Sequence, residues 1–182
     1  MKQNCLIEAV FIDRDGTIGG DDTIHYPGSF ECFPYTYSCI ERLKASGMKV
    51  FSFTNQPGIS KGRASVQEFM DELQSFGFDD IFICPHSPEE GCMCRKPGIG
   101  MLAEGAQKHQ LNLRNCVVIG DRSTDMAAAA KANCTKILVK TGTGQVALKE
   151  YEEKPDGISI DYTADDLQDA VQWIFYIKGD CK

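Results

Sequence analysis

Ala9 to Thr17 reads AVFIDRDGT, a short apolar run that stops at two acids flanking an arginine, with a glycine behind them. An apolar run of this length, bounded by polar and turn residues, reads as a buried strand. In extended backbone Asp13 and Asp15, two residues apart, point the same way, and Gly16 and Thr17 permit a sharp turn that brings the main chain close to a ligand.

The pattern recurs along the chain. EAVFID, MKVFSFT, DIFICP, CVVIGD and TKILVK are all short apolar runs with helical patterns between them. That alternation predicts an α/β fold with a largely parallel sheet. Pro34 can open a helix that Gly47 closes, Ser65 can cap VQEFMDELQSF with Glu68 three residues on and Gly77 behind, and Leu167, Val171 and Ile174 repeat on one helical face. FIDRDGT, FSFTNQ and VVIGDRSTD each place polar groups where an apolar run ends. In open α/β sheets ligands bind beyond the carboxyl ends of the strands, so these segments aim at one crevice.

With 182 residues and no compositional break or Pro/Ser-rich linker, residues 1–182 read as a single domain. An apolar fraction of 42% and a charged fraction of 25% are those of an ordinary soluble protein and give a disordered chain little support. A net charge of −7 and a pI near 5.0 argue against a duplex nucleic-acid binder, whereas a small anionic substrate needs only a local cation. The N-terminal MKQNCLIEAVFIDRDG turns charged after an apolar run too brief for a signal peptide or a membrane span, so a cytoplasmic protein without a membrane partner is expected. Nine cysteines in a reducing compartment disfavour a disulfide framework; scattered thiols (Cys5, Cys39, Cys116, Cys134, Cys181) read as small core residues and clustered ones as metal ligands.

The clustered ones lie in Cys84 to Pro97, CPHSPEEGCMCRKP. Cys84, His86, Cys92 and Cys94 form a C-x-H-x5-C-x-C set suited to a closed, tetrahedral and therefore structural zinc site. Arg95 and Lys96 follow directly, and a metal clip would offset the entropy of fixing them on an irregular loop. A second acidic cluster comes from Asp121, which ends an apolar strand, and Asp125, four residues on and one turn into a helix. With Asp13 they supply the oxygen-rich surroundings that Mg2+ prefers. Taken singly, each of these features has a plainer explanation: D-x-D as a solvated turn, Asp121 as a helix cap, Asp125 as a helix-surface acid, Thr54 and Asn55 as turn-formers before Pro57-Gly58.

DRDGT, TNQ, CRKP and GDRSTD, in that order and each at a strand or loop end, resemble the motifs of the haloacid dehalogenase (HAD) superfamily of aspartyl-phosphate phosphatases. Asp13-Arg14-Asp15-Gly16 together with CPHxPEEGCxCRKP resembles the branch of heptose-bisphosphate 7-phosphatases and histidinol-phosphate phosphatase domains, over about Phe11 to Ala129. The resemblance implies a Rossmannoid three-layer α/β fold. It implies Asp13 as nucleophile, Asp15 as acid and then base, and Mg2+ held by the Asp13 side chain, the Asp15 carbonyl and Asp121, with Asp125 in support. Thr54 and Asn55 would donate to phosphate oxygens, Lys96 would steady Asp13 and the phosphoryl group, and Arg95 would reach the substrate.

The intervals Asp15–Thr54 and Thr54–Lys96 hold a helix, a strand and short loops, leaving no room for an inserted cap domain. The expected site is therefore open, walled by the flap IGGDDTIHY and the Cys/His loop. The expected partner is a small phosphorylated metabolite, taken up by a monomer: a heptose bisphosphate or similar sugar phosphate, with histidinol phosphate as the alternative. Two readings come from other classes. A signalling receiver module leaves D-x-D and the Cys/His set unexplained, and a catalytically inactive, zinc-stabilised binding module is separated from an enzyme by turnover.

Overall fold

The computed structural model describes residues 6–21, 23–153 and 157–179. In chain order the elements are β1 (Ala9–Ile12), α1 (Thr36–Ala45), β2 (Lys49–Asn55), α2 (Val66–Ser75), β3 (Asp80–Cys84), α3 (Gly100–His109), β4 (Cys116–Gly120), α4 (Ser123–Lys131), β5 (Thr135–Val139), α5 (Gly144–Glu153), β6 (Tyr162–Ala164) and α6 (Leu167–Gly179). The strands form one six-stranded parallel sheet in the order β3-β2-β1-β4-β5-β6. All four residues of β1 are buried, as its unbroken apolar sequence requires for a strand covered on both faces.

Alternation along β1 divides the interior in two. Val10 and Ile12 join Ile40 and Leu43 of α1, Leu73 of α2 and Val171 and Ile174 of α6 on one face. Ala9 and Phe11 join Met101 and Leu102 of α3, Met126 of α4 and Ala147 of α5 on the other. Helices on both faces make three layers, with β1 in the middle of the sheet.

The helix signals act largely as the sequence suggests. Ser65 and Glu68 form a reciprocal capping box at the start of α2, and Gly47 and Gly77 take left-handed backbone just past α1 and α2. The cap of α1 is Tyr35 instead of Pro34, which lies one residue outside. Strand β6 has no counterpart among the apolar runs, because three residues at a sheet edge carry too little periodicity. Cys39, Cys116 and Cys134 are buried and Cys32 is partly so; Cys5 and Cys181 lie outside the described residues. No helix among the described residues is long and apolar enough to cross a membrane.

What positions the site is the reversal of strand order at β1. The chain runs from β1 to β2 and β3 on one side, then returns to place β4 on the other. A crevice opens at such a switch point, beyond the carboxyl ends of β1 and β4. Asp13 and Asp121, the first residues after these strands, flank it, and the Asp13 N–H donates to Ile119 O at 2.9 Å.

Candidate active site

Asp13, Asp121 and Asp125 are all buried and each brings an oxygen within 4.8 Å of the others. Such a cluster is repulsive unless it is neutralised. Lys96, 4% exposed, supplies the central positive charge: its Nζ lies 2.8 Å from Asp13 Oδ1 and 2.7 Å from Asp125 Oδ1, and donates to Phe53 O at 3.0 Å. Burial pulls the Lys96 pKa down, but Asp125 and Asp13 outweigh it and hold the ammonium protonated. One lysine does not balance three carboxylates. Burial, then the charge of Asp13, pushes Asp121 up to about 6. Burial raises Asp125 to about 7 against the pull of Lys96.

The remaining excess of anions fits a divalent cation, and so does the state of Asp121. Thr143 donates both its N–H (2.8 Å) and its hydroxyl (2.9 Å) to Oδ2, while Oδ1 is buried without a hydrogen-bond partner. A buried carboxylate oxygen without a hydrogen bond, with Arg122 Nε 3.9 Å away and two other acids beside it, is the donor set that a hard, oxygen-preferring ion takes. Asp125 is otherwise engaged, with Oδ1 on Lys96 and Oδ2 accepting from the Arg122 N–H at 3.0 Å as the third residue of α4. It braces the cluster. It is buried and not an exposed helix acid, and the cap of α4 is Arg122, not Asp121.

Backbone fixes the geometry around Asp121. A Cβ on Gly16 would fall 2.4 Å from Asp121 Oδ2 and 2.9 Å from the Gly142 Cα, and one on Gly142 would fall 2.5 Å from the Gly16 Cα. Both glycines have positive φ (+77° and +55°), so the turn after β1 and the turn after β5 touch main chain to main chain. The Thr141 hydroxyl closes the contact by donating to Gly16 O at 2.6 Å.

Asp15 stands outside the cluster. Its Oδ2 accepts from Gln56 Nε2 at 2.7 Å and its Oδ1 from Arg14 Nη1 at 2.5 Å; burial raises its pKa, with Arg14 pulling the other way. Gln56, itself buried, also donates to Thr54 Oγ1 at 2.9 Å. Asn55, which also lines the cavity, carries a role the sequence did not suggest. Its Oδ1 accepts the Lys96 N–H at 3.0 Å and its Nδ2 donates to Lys96 O at 3.2 Å, so both ends of the amide hold the Lys96 backbone.

The Cys/His loop brings its four side chains together. Sγ atoms of Cys84, Cys92 and Cys94 lie 3.3–3.5 Å apart, and His86 Nδ1 is 3.2 Å from Cys94 Sγ. Those separations are far beyond a disulfide bond of about 2.05 Å and near the edge of about 3.8 Å that a tetrahedron of roughly 2.3 Å metal–sulfur bonds would give. Burial lifts the Cys84 thiol to about 12; at Cys92 burial also works upward, but hydrogen bonds from Cys94 and the Arg95 N–H bring it down to about 7. Arg95 Nη1 donates to His86 O at 3.2 Å, which ties the cation to the loop.

A cavity of about 610 Å³ is lined by Asp13, Asp15, Thr54, Lys96, Arg95 and Arg122, with Thr23 and Ile24 of the flap. The sequence expectations left out Arg14, Gln56, Thr143 and Glu72. Arg14 and Gln56 lie within the DRDGT and TNQ motifs, and Thr143 follows the β5 strand end as Asp13 and Asp121 follow theirs. Nothing in the sequence pairs Glu72 with the site.

A HAD-hydrolase-like family model matches residues 93–170. The chain is 32% identical over 160 residues, 77% of its own length and 86% of the relative's, to D-glycero-alpha-D-manno-heptose-1,7-bisphosphate 7-phosphatase of Photorhabdus laumondii. It is 33% identical over 155 residues, 79% of its length and 87% of the relative's, to the D-glycero-beta-D-manno-heptose-1,7-bisphosphate 7-phosphatase of Bordetella bronchiseptica. The crystal structure of a D,D-heptose 1,7-bisphosphate phosphatase from B. bronchiseptica, complexed with magnesium and phosphate, superposes with a TM-score of 0.79 at 28% identity, covering 93% of this chain and 99% of that one.

Proposed function

The chain belongs to the HAD-like hydrolases and is a phosphoric monoester hydrolase, and from that premise we propose that it removes the 7-phosphate of a D-glycero-D-manno-heptose 1,7-bisphosphate through an aspartyl-phosphate intermediate. The observation that carries the mechanism is the division between the two acids of DRDGT. Asp13 belongs to the buried cluster beside Lys96, whereas Asp15 stands apart at the cavity wall, held by Gln56 and Arg14. A carboxylate beside a fixed cation suits attack on phosphorus, and an acid of raised pKa suits giving a proton to the departing oxygen.

In this reading Asp13 forms a bond to phosphorus as the phosphorus–oxygen bond to the sugar breaks, and Asp15 protonates the sugar oxygen. Asp15 then takes a proton from water, which attacks the acyl phosphate, frees inorganic phosphate and restores Asp13. Lys96 and the Thr54 hydroxyl face the charge that gathers on the phosphoryl oxygens. Asp13, Asp121 and the carbonyl of Asp15 would hold Mg2+, which would supply the positive charge that one lysine leaves lacking. Arg95 and Arg122, which line the same cavity, are the cations a second phosphate needs.

The test is a panel of phosphate esters that includes both anomers of the heptose bisphosphate, heptose 7-phosphate, other sugar phosphates and histidinol phosphate. The expected result is the highest kcat/KM on a bisphosphate anomer, at least about tenfold above the monophosphate. A preference for histidinol phosphate would replace the heptose reading, and no turnover of any ester would replace the enzyme by the binding module.

Zinc at Cys84, His86, Cys92 and Cys94 is the second part of the proposal, supported by their convergence and by the low Cys92 pKa. Four protein ligands leave no open position, so this ion would be structural. The expected result is about one zinc per chain by metal analysis, with Cys92→Ser lowering the melting temperature by roughly 5 °C or more. Metal-free protein that melts like the zinc-loaded form would end the zinc reading.

A further inference from the structure

Arg14 lies between the two acids of DRDGT, yet no step above uses it. Its side chain is completely buried. A guanidinium in that position is costly unless its donors are paired. Nε and Nη2 both donate to Glu72 Oε1, at 3.0 and 2.5 Å, and Nη1 donates to Asp15 Oδ1 at 2.5 Å and to His25 O at 2.9 Å. The Phe30 ring centre lies 3.7 Å from the guanidinium carbon. Glu72 Oε2 in turn accepts from the Gly28 N–H at 3.2 Å. One cation therefore joins Asp15 to α2, to the flap at His25 and, just beyond the flap, to Phe30 and, through Glu72, Gly28.

We propose that Arg14 is a positioning residue for proton transfer: it fixes the Asp15 carboxyl through Oδ1, leaves Oδ2 as the oxygen that exchanges the proton, and makes this orientation depend on the flap lying folded against the site. The proposal rests on the reading of Asp15 as the acid given above. Gln56 alone gives Oδ2 one tether, about which the carboxyl can still turn; Arg14 adds a second on the other oxygen. Glu72, on a helix outside the cavity, is the counter-charge that keeps the guanidinium where it can do this.

The experiment measures kcat/KM, which reports the steps through departure of the leaving group, on the best sugar phosphate and on an activated aryl phosphate whose leaving group needs no proton. Asp15→Asn is the reference and should depress the sugar phosphate far more than the aryl phosphate. Arg14→Lys keeps the charge but cannot reach Asp15, Glu72 and His25 O at once, so it should show the same split, on the order of thirtyfold or more against less than about threefold. Glu72→Ala should show a weaker split of the same sense, roughly fivefold, and stands in for Arg14→Lys if that variant does not fold. Combined with Asp15→Asn, either change should cost little further on the sugar phosphate, since both act through one group. Equal losses on the two substrates, or full additivity with Asp15→Asn, would overturn the proposal and leave Arg14 a structural residue. If Asp15→Asn itself shows no split, the assignment of Asp15 as acid fails, and the role of Arg14 fails with it for that distinct reason.

Discussion

Asp13→Asn is expected to give a folded protein whose phosphate release from every ester is lower by roughly ten-thousandfold or more. Asparagine has the shape of aspartate but no anionic oxygen with which to form an acyl phosphate. Folding should survive the change because Lys96 keeps Asp125 at 2.7 Å and Phe53 O at 3.0 Å. The substitution also removes one of the like charges that push Asp121 and Asp125 upward. In metal-free buffer the melting temperature of the variant should therefore equal or exceed that of the parent. Steady phosphate release near the parent rate would remove Asp13 from the mechanism.

Lys96→Ala is expected to fail in both respects. Removing the cation strands Asp13 and Asp125 in the interior without the charge that both contact, and Phe53 O loses its donor. Breaking a buried pair from one side costs about 3–5 kcal/mol, which urea unfolding would read directly. The loss in kcat/KM should be on the order of a thousandfold, because the same ammonium faces the charge that builds on the phosphoryl group. The contrast with Asp13→Asn is the informative part: one change should abolish turnover at no cost in stability, the other should lower both. A Lys96→Ala protein as stable as the parent and within tenfold of its kcat/KM would show that the lysine is incidental.

The legible parts of this protein were those that repeat or stand close in sequence. Five of the six strands announce themselves as apolar runs, and Ser65 with Glu68 marks the start of α2, because burial on two faces and capping are local demands. Asp13, Asp121 and Lys96 were legible because they sit at strand or loop ends in recognisable motifs. What stayed hidden depends on pairings across the fold. Asn55 gives no sign in the sequence that both ends of its amide bind the Lys96 backbone. Glu72 looks like an ordinary helix-surface acid until Arg14 is found beneath it. Thr143 follows a strand whose apolar run carries no motif, and only the approach of Gly142 to Gly16 brings its hydroxyl to Asp121.

The place of β1 in the middle of the sheet has a consequence for how the chain comes into being. Its residues 9–12 leave the ribosome first among the strands, but one of their two hydrogen-bonding partners, β4, spans residues 116–120. For most of synthesis the nascent chain can offer β1 only β2 as a neighbour, so one edge of AVFI stays open until nearly two thirds of the protein has emerged. Parallel pairings between distant segments are slow to form and leave strand edges exposed in the meantime. Asp121 arrives directly behind β4, so the acidic cluster comes together only in the step that closes that edge. A chain interrupted between Lys96 and β4 has Asp13 and the lysine but not the carboxylate across from them. Half-made copies are thus expected to lack the complete acidic cluster and to be stickier than the finished protein.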